Sequence, residues 1–145
     1  MAAYNKFQDF VDQLGRGVHN FSAHAIKIYL SNEQPLVTDT VKTDIAEIAG
    51  GNGYTAGGTS ITPTWSETSG TGTLQGVSLR ITASGGSIGP FQFVVLFNDT
   101  PTSPLRPLIA WWDRGSALTL TDGDSFDIKF NNAAVGSAGN VFTLA

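Results

Sequence analysis

Tyr4, Phe7, Val11 and Leu14 recur at spacings of three, four and three, and Phe10 widens the stripe. That is one face of a helix, and Gly15 and Gly17 supply a stop after it. About twelve residues give a helix of about 18 Å, at ~1.5 Å per residue. A lone helix of that length is marginal in water, so its stripe has to dock, either on the chain's own sheet or on a neighbouring subunit. Over residues 24–30 the period changes to two. Ile26, Ile28 and Leu30 face one way and Ala25, Lys27 and Tyr29 the other, which predicts a half-buried strand. Residues 32–35 break it. Val41, Ile45 and Ile48 return to helical spacing, with Thr38 or Asp39 as N-cap, and predict a short helix ending at Gly50-Gly51.

From Gly51 onward the pattern is β. Residues 59–65 are Thr-rich and end near Pro63. Residues 73–82 alternate, with Val77, Leu79 and Ile81 expected inward and Ser78, Arg80 and Thr82 outward. In residues 91–97 only Gln92 is polar, so this strand is expected to be central and buried on both faces. Pro101, Pro104 and Pro107 confine the next stretch to a loop. Strands are expected at 108–112 and, briefly, at 117–120. Asp122-Gly123 predicts a hairpin into residues 125–130, where Phe126, Ile128 and Phe130 share a face, and 141–144 closes the chain. Short strands with turn signals every 8–12 residues or so predict an all-β fold, an antiparallel β-sandwich or jelly-roll-like barrel with a short N-terminal helix. Residues 1–17 form the N-terminal helix or arm, and 18–145 a single β-sandwich domain.

Composition narrows the function. A chain of 145 residues needs neither disulfide nor metal to fold, and it contains no cysteine. Charged residues make up 14%, below the usual ~25%, which hints at surface covered by neighbours. The net charge is −4 and the basic residues are scattered singly, so no stripe for phosphates exists and nucleic acid is not an expected partner. No apolar run suits a secretory signal or a membrane span, and a product made in the cytoplasm is expected.

Candidate chemistry is thin, and no catalytic, cofactor-binding or metal-binding residue is assigned. His19 and His24 lack nearby carboxylates in sequence, and two imidazoles make a poor metal site. Gly85-x-Ser87-x-Gly89 has the spacing of a nucleophile elbow but runs directly into a strand where a helix is required. Gly51-Asn-Gly53-Tyr-Thr-Ala56 has dinucleotide-loop spacing in inverted context. The run from Asp122 to Asp127 lacks the terminal Glu of a calcium loop. Glu47 and Glu67 offer no pair for glycoside hydrolysis. Adjacent Trp111 and Trp112 face opposite sides of a strand. Either one is core and the other marks a contact surface for protein or sugar, or both are buried, one of them under a loop or the N-terminal helix.

Ile45-Ala-Glu-Ile-Ala-Gly-Gly-Asn-Gly-Tyr-Thr-Ala-Gly-Gly58 begins a broader likeness, continued in Thr82-Ala-Ser-Gly-Gly-Ser-Ile-Gly-Pro-Phe91, Val95-Leu-Phe-Asn-Asp-Thr100, Pro107-Leu-Ile-Ala-Trp-Trp-Asp113 and Leu120-Thr-Asp-Gly-Asp-Ser-Phe126. From about residue 18 to 145 the chain resembles small virion proteins of tailed bacteriophages. The resemblance implies a non-enzymatic capsid decoration (cement) protein on the capsid surface, with the major capsid protein and copies of itself, as dimer or trimer, as partners. A tail or neck component, a carbohydrate-binding module using Trp111 or Trp112, and a hydrolase built on Ser87 are the alternatives. The candidate interface is Tyr4, Phe7, Phe10, Val11, Leu14 and Trp112. Removal of residues 2–14 is expected to abolish capsid binding and leave the sheet folded.

Overall fold

The structure is a computed structural model that describes residues 2–145. It is all-β, with antiparallel sheets and one short helix near the N-terminus. The largest sheet has five strands in the order β1 (Asn5–Lys6), β8 (Leu108–Leu120), β7 (Ile88–Asn98), β2 (Ile26–Ser31) and β3 (Thr59–Ser60). A three-stranded sheet orders β10 (Ala138–Leu144), β5 (Thr71–Val77) and β4 (Thr64–Thr68), and β6 (Leu79–Thr82) pairs with β9 (Ser125–Ile128). Each sheet is open in this order, so the sandwich is the form that fits.

Period-two patterning explains how the large sheet is covered. Val94 and Leu96 of β7, Ile26, Ile28 and Leu30 of β2, and Ala110 and Trp112 of β8 share a core with Leu74, Ile81, Ile128 and Val141 of the smaller sheets. The alternate residues Phe93, Val95, Phe97, Tyr29 and Trp111 form a second core on the other face, closed by Phe7 and Ile45. Strand β7 is therefore central and buried on both faces, as its unbroken apolar run predicts. Strand β2 is more buried than its alternation suggests, because Tyr29 is also enclosed.

The N-terminal helix is shorter than its stripe. Helix α1 spans Gln8–Gly15; Tyr4 precedes the pairing of Asn5 and Lys6 with Trp111 and Ala110, and Phe7 sits at the helix N-cap. The expected helix over 41–48 is replaced by a 3-10 turn, Lys42–Asp44. The carboxylate of Asp44 accepts the Thr40 and Val41 amides, and the Ile48 amide is drawn to the Leu30 carbonyl, which keeps the following chain extended beside β2.

Two β expectations also change. Asp122-Gly123 does form a turn, closed by the Asp124 amide on the Thr121 carbonyl. It is not a hairpin, since β8 pairs with β7 and β9 with β6. Ser78, expected outward, is buried. Gly72, Leu74, Gly76 and Ser78 face inward, then the parity switches so that Ile81 and Ala83 do. The chain passes there from the three-stranded to the two-stranded sheet. Ser78 Oγ accepts the Phe130 amide, its N–H donates to the Ser137 carbonyl, and its carbonyl accepts the Gly136 amide.

Candidate functional site

Two of the polar constellations singled out in the sequence lie at hydrogen-bonded structural joints. Asn98 is fully buried, and its Oδ1 accepts the Thr100 amide, which fixes the orientation of its side-chain amide. Nδ2 then donates to Nδ1 of His19 (3.1 Å) and of His24 (3.0 Å). Both imidazoles therefore carry their proton on Nε2. His19 stacks on Phe21 and meets the edge of Phe10, and its Nε2 is buried without a partner. Burial first, and His24 second, lower its pKa to about 4. Two imidazoles accepting from one amide are a fastening, and among the described residues no three His, Asp or Glu gather to hold a metal ion.

The stretch with dinucleotide-loop spacing instead packs a tyrosine into the sheet edge. Tyr54 is buried, and its hydroxyl accepts the Leu30 amide at 3.0 Å and donates to Glu47 Oε1 at 2.7 Å. Glu47 also accepts the Gly57 amide and pairs with Lys42 at 2.7 Å. The Lys42 ammonium lies 4.5 Å from the centre of the Tyr29 ring. Sequence spacing did not announce this network; its signal is a single tyrosine inside a glycine-rich run. Glu67 caps its own turn through the Gly70 amide.

The carboxylates of the calcium-like run are also separately engaged. Asp122 accepts the Gly85 amide, Asp124 the Thr121 amide and hydroxyl, and Asp127 forms a two-point pair with Arg80 at 2.6 and 2.9 Å. Ser87 is exposed, directly before β7, and its carbonyl accepts the Asn52 side chain. Among the described residues no hydrogen bond joins its hydroxyl to a histidine or carboxylate.

The candidate interface is only partly open. Phe7 and Phe10 are fully enclosed, Phe7 against Trp111 with ring centroids at 4.6 Å. Trp112, expected as a contact surface, is only 8% exposed, lying edge-on to Tyr4 and Phe130. Both adjacent tryptophans are thus core residues on opposite faces of the sheet. Tyr4 and Leu14 are half-buried, and Val11 alone of the six stands well exposed. Trp65 is the half-buried indole, seated over Gly72.

Sequence patterning passed over other exposed apolar side chains. Leu36 and Val37 form a knuckle whose carbonyl at Val37 accepts the Gln8 amide, one helical turn from Val11. Leu105 is exposed in the proline-rich loop, which is tied down by Arg106 on Asp99 at 2.9 Å; Asp99 also holds Lys27 at 2.7 Å. Burial works against the charge of Asp99, and the two cations more than offset it, so its pKa is lowered. Between β8 and β9 lies a cleft of about 310 Å³, floored by Val94, Trp112 and Phe130, walled by Phe126 and rimmed by Arg114 and Lys129. Among the described residues no helix is long and apolar enough to cross a membrane.

The fold is an antiparallel β-sandwich with internally bonded polar clusters and several exposed apolar side chains. Comparison with protein-family models, with curated proteins and with solved structures found no match to this chain.

Proposed function

We propose that this chain is a structural protein of a tailed-phage virion, acting as a decoration or cement protein on the capsid surface, with no catalytic role. Its partners in this reading are the major capsid protein and copies of itself, met after synthesis in the host cytoplasm. The observation that carries the reading is an apolar side chain held out on a pinned loop. Leu105 is 50% exposed while Arg106, next to it, is fixed to Asp99 and its amide to the Pro101 carbonyl. Exposing leucine on rigid backbone favours docking, since little loop entropy is lost on contact. The sequence likeness to virion proteins and the low charge content support the same reading. The carbohydrate-binding alternative loses support because Trp111 and Trp112 are only 9% and 8% exposed.

Electron cryomicroscopy of intact particles tests it. Density for this β-sandwich repeated over the shell is expected. Density confined to the tail or neck moves the assignment there, and absence from the particle overturns it. Leu105→Glu should lower shell occupancy with the fold intact.

A further inference from the structure

Two unpartnered apolar surfaces of this chain differ in charge. The Leu36–Val37 knuckle exposes its two side chains side by side, at 59% and 43%. Its nearby carboxylates are Asp39, whose Oδ2 accepts the Leu36 amide, and Asp9, bound only to the Gln13 amide. Neither is in an ion pair among the described residues, whereas Asp12 is held by Arg16. The cleft between β8 and β9 is concave and apolar at its floor. Its rim carboxylate, Asp127, is neutralised by Arg80. Arg114 donates only to Ser116, and Lys129 has no carboxylate within ion-pair distance among the described residues. Asp113, beside Arg114, is bound to Gln92 and Gly115. Among the described residues the rim therefore carries two cations outside any ion pair, Arg114 and Lys129, against one unpaired carboxylate, Asp113.

The two surfaces cannot meet within one molecule. Ala2 lines the cleft and the Gln8 amide holds the knuckle. Ala2 and Gln8 are six residues apart, a reach of at most about 20 Å, and neither Leu36 nor Val37 lines the cleft. An exposed apolar pair flanked by carboxylates and an apolar cleft rimmed by cations, held apart in one molecule, can seat on each other between copies.

We infer that copies of this chain associate head to tail, the Leu36–Val37 knuckle of one copy seating in the β8–β9 cleft of the next, with Asp39 and Asp9 facing Arg114 and Lys129. The inference rests on the reading of the chain as an assembling subunit and adds the surfaces and their polarity. Such a contact is heterologous, so it either closes into a ring or continues. Apolar seating supplies the attraction, and the opposite charges set register and speed encounter.

The test is sedimentation of the purified full chain over a range of concentrations, at about 50 mM and about 500 mM salt, where screening differs severalfold. Reversible oligomers that weaken with salt are expected; a monomer throughout overturns the inference. Leu36→Glu, on the exposed knuckle, and the pair Arg114→Glu with Lys129→Glu, on the cleft rim, should each weaken association by roughly tenfold or more. Circular dichroism and tryptophan emission confirm folding. The decisive step is mixing. Each variant keeps one good surface, so the two together should form a 1:1 complex that neither forms alone. Failure of folded variants to complement overturns the inference. Particle occupancy is read separately: a monomer that still decorates shells removes the head-to-tail contact and leaves the proposed function, and a self-associating chain absent from particles does the reverse.

Discussion

His19 and Asn98 are joined by a 3.1 Å hydrogen bond in which the imidazole can only accept. The bond exists while His19 Nδ1 is unprotonated, and the ring sits between Phe10 and Phe21 with no counter-charge. Its folded pKa of about 4 lies below the ordinary 6.5. The unfolded chain therefore takes up the proton first as pH falls. Stability is held above pH 6.5, declines between pH 6.5 and about 4, and gains no further loss from this group below that. At about 1.4 kcal/mol per unit, the loss is about 3 kcal/mol. Urea titrations at pH 7.5 and 4.5 should show it, and His19→Phe should reduce this part of the acid sensitivity. An equal loss in the variant would remove His19 as the cause.

Phe10 is closed against His19, Phe21 and Phe142, and Phe7 against Trp111. Phe10→Ala is expected to cost about 3–5 kcal/mol. Deletion of residues 2–14 should abolish cooperative unfolding, contrary to the expectation of a detachable arm, because it uncovers both faces of the large sheet. A thermal melt monitored by near-ultraviolet dichroism distinguishes the two. Val11→Asp, on the exposed side of the same helix, should leave the melt within a few tenths of a kcal/mol.

Tyr54→Phe removes one oxygen that serves two partners. The Leu30 amide loses its acceptor and Glu47 a donor. Leaving a buried donor unsatisfied costs about 1–3 kcal/mol. The Leu30 amide should also exchange its hydrogen faster than its neighbours in β2, which an exchange measurement by NMR reads directly. Unchanged protection at Leu30 would mean that water or another group replaces the hydroxyl.

Gly53 has φ +101°, and a β-carbon there would press on the Thr82 carbonyl oxygen. Gly53→Ala should destabilise by more than the ~1 kcal/mol of a glycine effect alone, because strain and clash add. Gly57→Ala, with φ +95° but open space around it, isolates the conformational part. The difference between the two melts measures the close approach of this loop to β6.

The elements legible in the sequence are those whose side chains report their own surroundings. The apolar run of β7 and the alternation of β2 place both strands correctly, since burial there is decided residue by residue. Two adjacent tryptophans announced opposite faces, and the structure buries both because the N-terminal segment covers the face that Trp111 uses. What escaped was decided by distant partners. Val41, Ile45 and Ile48 have helical spacing, yet the Leu30 carbonyl takes the Ile48 amide. The turn at Asp122 was readable, but not that β9 would choose β6. For the candidate interface, the stripe identified apolar residues without telling inner from outer. Phe7 and Phe10 went inside, while Leu36 and Val37, outside any periodic pattern, stayed on the surface.

Ser78 commits its amide, its carbonyl and its hydroxyl to one stretch of chain, residues 130–137. It stands where β5 hands over to β6, so the two smaller sheets share a rivet. Neither can swing away from the core without tearing the other's seam. The sandwich should consequently open all at once or stay shut.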